Sequence, residues 1–170
     1  MSQCRPLGPR SHRSALVLLA LMLGLAGCLM DQPRPLDGLN RQLQGSGASS
    51  RDPSLSGRWL ALITNRGNRD LIDLIDLENG RPLPVPGLNR PDAQPLEVSI
   101  DASGRRLAVI RQRDGRTELL LHRLDAQVSE PIEISPPGVP EHLALSADGR
   151  MLAVQVSRQG HSQIDLIRLP

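Results

Sequence analysis

The chain has 170 residues, 20 basic and 18 acidic, for a formal net charge of +2, with two Cys, one Trp and no Phe or Tyr. Charge this close to balance gives no ground for nucleic-acid binding. With so few aromatics, the core must be Leu, Ile, Val and Ala, which argues against a deep aromatic-lined ligand pocket.

The first 27 residues read as an export signal. Arg5, Arg10 and Arg13 precede Ala15 to Leu25, an unbroken apolar run, and no acidic residue occurs there. Eleven helical residues span about 16 Å, short of the roughly 30 Å of hydrocarbon that a spanning helix must cross. Basic, then short apolar, then small residues is the order of a secretory signal. The run closes on Leu25-Ala26-Gly27-Cys28, which resembles the lipobox of bacterial lipoproteins. That resemblance implies that the Cys28 thiol takes up a diacylglycerol group and that a peptidase cuts before it, with Ala26 and Gly27 leaving room. It also implies two or three acyl chains, enough for stable anchoring where a single chain holds only marginally. Leu29 follows, where an Asp would act as an inner-membrane retention signal in well-studied lineages, so the outer membrane is the expected destination.

Beyond the signal the balance shifts. Residues 28–170 carry 17 Arg and no Lys against 18 acidic residues, a net of −1. The basic character of the whole chain therefore belongs largely to the export signal. Cys4 leaves with that signal and Cys28 is acylated, which precludes a disulfide or a Cys-ligated metal within one chain. The 143 remaining residues suit one small domain.

Residues 28–50 read as anchor and linker. Gly38-Leu39-Asn40-Arg41 recurs as Gly87-Leu88-Asn89-Arg90, and Arg34-Pro35-Leu36 as Arg81-Pro82-Leu83. Two readings stay open for residues 34–39: a displaced outer strand that completes the last repeat, or a tether, as Pro33, Pro35 and the small polar residues 45–50 suggest.

Residues 51–170 hold an internal repeat. Three segments starting at Gly57, Gly104 and Gly149 align without a gap for 21 residues, at spacings of 47 and 45. Seven columns are identical, among them Arg58/Arg105/Arg150, Arg66/Arg113/Arg158 and Leu74/Leu121/Leu166. A fixed period of this length signals a repeat architecture. Each unit reads as a turn at Gly, a strand (Trp59 to Thr64, Leu107 to Arg111, Met151 to Val156), a second turn, and another strand (Leu71 to Leu77, Thr117 to Leu124, Ser162 to Leu169). A shorter strand precedes each first turn, clear at Leu96 to Ile100 and His142 to Leu145 and weak before Gly57. Outer strands fall near Pro82 to Val85 and Pro131 to Ile134. Asp70, Asp73 and Asp76 recur every three residues as in a helix, but the aligned segments share columns spaced by two, so strand is expected there. The fold class is all-β, with about three four-stranded antiparallel propeller-type blades near 51–86, 95–135 and 141–170.

The stretch Ser146-Ala147-Asp148-Gly149-Arg150-Met151-Leu152-Ala153 resembles the repeat of TolB-type propellers, the family of the periplasmic TolB protein of the Tol–Pal envelope system. Arg113-Asp114-Gly115 matches its second turn. The resemblance covers residues 51–170. Two departures are visible: the separate N-terminal domain of that family has no counterpart here, and about three blades are encoded against six. Three blades are also fewer than a closed propeller ordinarily has. A dimer of two three-blade halves would complete a six-blade ring; the alternative is an open stack with polar ends.

Catalytic and metal-binding patterns are sparse. The histidines after the signal are His122, His142 and His161; none lies in a zinc-protease helix motif, and no nucleophile elbow occurs. His142 is placed in an inner strand beside Glu141. Asp70, Asp73, Asp76 and Glu78 are calcium-ligand types, but strand alternation divides Asp73 from Asp76. No metal, cofactor or catalytic residue is assigned. The recurring Arg58, Arg105, Arg150, Arg66, Arg113 and Arg158 either brace turns or form a surface that meets an anionic partner. The expectation is a non-enzymatic, lipid-anchored binding or scaffold protein of the cell envelope, on the periplasmic face, with a protein partner as the TolB resemblance implies. The rival readings are a propeller hydrolase or lactonase, and a degenerate propeller fragment.

Overall fold

A computed structural model describes residues 33–45 and 48–170. The lipobox residues Leu25, Ala26, Gly27 and Cys28 lie outside them. The chain divides into two compact units, residues 1–37 and 38–170. In the first, the described residues 33–36 are exposed and without regular structure.

A helix, α1 (Asp37–Gly45), starts on the last residue of the first unit and opens the second. Asp37 supplies an acidic group to the first turn, where free N–H groups and the helix dipole favour it. Leu39 and Leu43, one turn apart, are half-buried, and the Gln42 side chain donates to the Gly80 carbonyl at 3.0 Å. Of the two readings open for 34–39, the displaced outer strand is therefore corrected. Pro33 and Pro35 lack the N–H groups a ladder needs, and the recurring Gly-Leu-Asn-Arg at 38–41 is helical.

Among the described residues eleven strands form three antiparallel sheets. Sheet 1 is β1 (Ser49–Ser56), β2 (Trp59–Arg66), β3 (Arg69–Asp76) and β4 (Arg81–Leu83), neighbours in that order. Sheet 2 repeats the plan with β5 (Ala93–Ile100), β6 (Arg106–Arg113), β7 (Arg116–Arg123) and β8 (Val128–Pro131). Sheet 3 has three strands, β9 (Val139–Leu145), β10 (Met151–Arg158) and β11 (His161–Arg168). The stretch 70–76 is strand and not helix, because its apolar residues Ile72 and Leu74 alternate into a core; Leu77, expected to end the strand, lies in the turn that follows. The inner strand of sheet 1 begins at Ser49, inside the segment expected to be linker. The outer strand of sheet 2 begins three residues before its expected start, although the Ile132 N–H still bonds the Leu119 carbonyl at 2.8 Å.

The middle hairpins share one turn. Gly67 and Asn68, Asp114 and Gly115, and Gln159 and Gly160 all have positive φ, as a two-residue type I′ turn requires. Full registers follow, from Arg66 opposite Arg69, Arg113 opposite Arg116 and Arg158 opposite His161.

Two apolar layers join the sheets. Ala61, Ile63, Ile72 and Leu74 of sheet 1 pack with Val98, Ile100, Leu107 and Val109 of sheet 2. Ala108, Ile110, Leu119 and Leu121 of sheet 2 pack with Leu143, Leu145, Leu152 and Val154 of sheet 3. Burying a Leu or Ile side chain contributes about 1.5–3 kcal/mol, so these layers outweigh any surface pairing. Polar ties repeat with the sheets: Ser54 Oγ accepts from the Ile100 N–H at 3.1 Å, and Ser99 Oγ from the Leu145 N–H at 3.0 Å.

Candidate functional site

The β2–β3 and β6–β7 hairpins turn at the same end of neighbouring sheets. Between them lies a solvent-facing cleft of about 480 Å³ lined by polar side chains of both sheets, with Asn65, Asn68, Arg69 and Asp70 on one wall and Asp92, Gln94, Gln112 and Arg113 on the other. The loop from β4 to β5 delivers Asp92. It is anchored where Asn89 pairs with both backbone groups of Ile72, its Oδ1 accepting at 2.7 Å and its Nδ2 donating at 2.9 Å.

The carboxylates of the cleft are held ionised. Asp70 accepts from Asn65 at 2.8 Å, from Arg51 at 3.0 Å and from Gln94 at 3.3 Å. The Asn65 bond, followed by that of Arg51, keeps its carboxyl below the usual range. Arg90 grips Asp92 through Nε at 2.8 Å and Nη2 at 3.0 Å and lowers it to about 2. Arg113 stands 3.3 Å from the same carboxylate. The cleft thus presents fixed negative charge, arginine and side-chain amides. That set can hold a polar ligand by hydrogen bonds to both donors and acceptors, such as a peptide strand or a glycan.

The six recurring arginines fall into two sets at opposite ends of the middle strands, separated by roughly 20 Å or more of eight-residue strand. At one end Arg58 pairs with Glu78 at 2.6 Å and lies 4.7 Å from the centroid of the Trp59 ring. Arg105 and Arg150 are exposed there. Their backbone N–H groups are held by Asp101, and by Ser146 and Asp148. At the other end Arg66 pairs with Asp73, Arg158 with Asp165 and Arg113 with Asp92. The structure brings only Arg113 to the cleft.

The remaining candidates scatter. Asp73, Asp76 and Glu78 are engaged by Arg66 and Arg58, and among the described residues no group of three or more His, Cys, Asp or Glu is placed to hold a metal. The exposed His142 stands 3.4 Å from Glu97, whose carboxyl is raised by burial. His122 is fully buried, with Nδ1 2.9 Å from Ser129 Oγ. Sequence reasoning missed Asn65, Asp92 and Gln94. The one available signal was Arg90-Pro91-Asp92, an Arg and an Asp two apart where the repeated Gly-Leu-Asn-Arg ends.

No family model matches the chain, and no curated protein does. Solved structures do. TolB from Acinetobacter baumannii superposes with a TM-score of 0.56 at 17% identity, over 72% of this chain and 32% of that one. The β-propeller domain of the Trilobed protease from Pyrococcus furiosus gives 0.54 at 18%, over 71% and 39%. The three sheets are propeller blades. A protein described as a conserved lipoprotein from Clostridium novyi NT gives 0.50 at 11%, over 74% of this chain and 92% of that one. The chain thus spans about a third of the first two structures, and the cleft lies between blades 1 and 2 of a partial, TolB-like propeller.

Proposed function

We propose that this protein is a lipid-anchored binding protein of the bacterial envelope, held through Cys28 on the periplasmic side of the outer membrane, that presents the cleft between blades 1 and 2 to a protein partner. The cleft carries the reading. Its carboxylates, amides and Arg113 are fixed by mutual pairing on two rigid sheets, which suits recognition of a polar segment without chemistry on it. The lipobox-like tetrapeptide supplies the compartment, and the likeness in fold to TolB and to a protein described as a lipoprotein agrees with it. The role is binding, not catalysis.

A photo-crosslinking residue at Asn68, in the full chain in native membranes, tests this. One envelope protein should be captured, with capture reduced at least fivefold by Gln94→Ala and absent from a probe at Val128 on the opposite blade end. Equal capture from both positions would remove the cleft from the proposal. Cys28→Ser should release the chain into the soluble fraction; retention on membranes would remove the anchor.

A further inference from the structure

The open end of blade 3 carries a side-chain column that is a core elsewhere. Ile164 and Leu166 on β11 are 65% and 70% exposed. Their counterparts, Ile72 and Leu74 in blade 1 and Leu119 and Leu121 in blade 2, are at most 3% exposed because each pair faces the next blade. Met151 repeats the break. Trp59, at its position in blade 1, lies against the Gly104 turn of blade 2. Arg106, its counterpart in blade 2, donates to the Gly149 carbonyl of blade 3 at 3.0 Å. Met151 has no following turn to meet among the described residues and is exposed. Among the described residues the outer edge of β11 is unpaired as well, whereas β3 pairs with β4, and β7 with β8.

The other end of the array shows the complementary break. Leu55 on β1 is 67% exposed, while the residues at its position, Ile100 on β5 and Leu145 on β9, are at most 9% exposed because each faces the preceding blade. Both sides of one inter-blade junction are therefore present at opposite ends of the array, unpartnered among the described residues. Within the chain that junction joins Leu74 to the Ile100 layer and Leu121 to the Leu145 layer.

We propose that the exposed face of blade 3 docks blade 1 of a second copy, Leu166 and Ile164 meeting Leu55. The contact continues the two junctions already formed inside the chain. Two such contacts related by a twofold axis close six blades into a ring, which leaves neither apolar face in water. The inference is independent of what the cleft binds.

The full chain with Cys4→Ser and Cys28→Ser tests it, because Leu55, Ile164 and Leu166 are exposed and substitution there leaves each blade core intact. Light scattering should give twice the chain mass at tens of micromolar. Ile164→Glu with Leu166→Glu should give the single-chain mass with an unchanged circular dichroism spectrum. Under mild oxidation, Leu55→Cys chains mixed with Leu166→Cys chains should form a disulfide-linked pair, and neither should do so alone. A single-chain mass for the unmutated faces would overturn the proposal. So would assemblies larger than two, or a Leu166→Cys chain that crosslinks to itself.

Discussion

His122 occupies a position that is Ile75 in blade 1 and Ile167 in blade 3. Its imidazole is fully buried, one nitrogen beside Ser129 and the other, Nε2, without a partner among the described residues. Burial disfavours the charged ring and lowers its pKa. The unfolded chain therefore takes up this proton first, near the ordinary value of about 6.5. As pH falls through that value the unfolded state gains relative to the folded one, and stability is lost until the folded pKa is passed; above about 6.5 the group contributes no slope. His122→Leu should flatten the decline of Tm between pH 7 and pH 5 relative to the parent chain. Parallel Tm–pH curves would show that His122 is charged in the folded state or open to water.

At the scale of the element, blade contact is set by a turn against a ring. A Cβ on Gly104 would stand 2.3 Å from the Trp59 ring, and φ there is +69°. Gly115, with φ +73°, would place a Cβ in open space. Both Ala variants bear the left-handed cost of about 1–2 kcal/mol, but only Gly104→Ala must also displace Trp59, an overpacking cost of about 1–3 kcal/mol. Urea unfolding should rank Gly104→Ala below Gly115→Ala by that margin, and Trp59→Leu should recover part of it in a double-mutant cycle. Equal losses would mean that Trp59 is not fixed by blade 2. The strands and turns of each blade were legible because the period of 45–47 residues repeats apolar alternation and Gly together. The helix was not. Gly-Leu-Asn-Arg is helical at 38–41, while at 87–90 Leu88 enters the core and Asn89 bonds Ile72, so tertiary contacts decide between identical words. β1 was faint because Ser49–Ser56 is polar and interrupted by Pro53, and it is placed by its pairing with β2. The cleft was hidden because its walls come from segments some 25 and 45 residues apart that only the stacking of two blades brings together.

For the whole molecule, one column measures whether the array is complete. Leu74, Leu121 and Leu166 are identical in sequence and in strand position, yet among the described residues only the first two are covered. Truncating a buried Leu costs about 2–5 kcal/mol, whereas an exposed one costs within about 0.5 kcal/mol. Leu74→Ala should therefore lower unfolding free energy by the larger amount at every protein concentration. Leu166→Ala should be nearly neutral at nanomolar chain and should become costly as concentration rises, because a docked copy stabilises only the folded state and does so by mass action. Denaturant titrations across three decades of concentration give the comparison. A large cost for Leu166→Ala at high dilution would mean that the chain covers this face itself. A negligible cost throughout would mean that no second copy sits there, leaving a three-blade stack that keeps an apolar end in water.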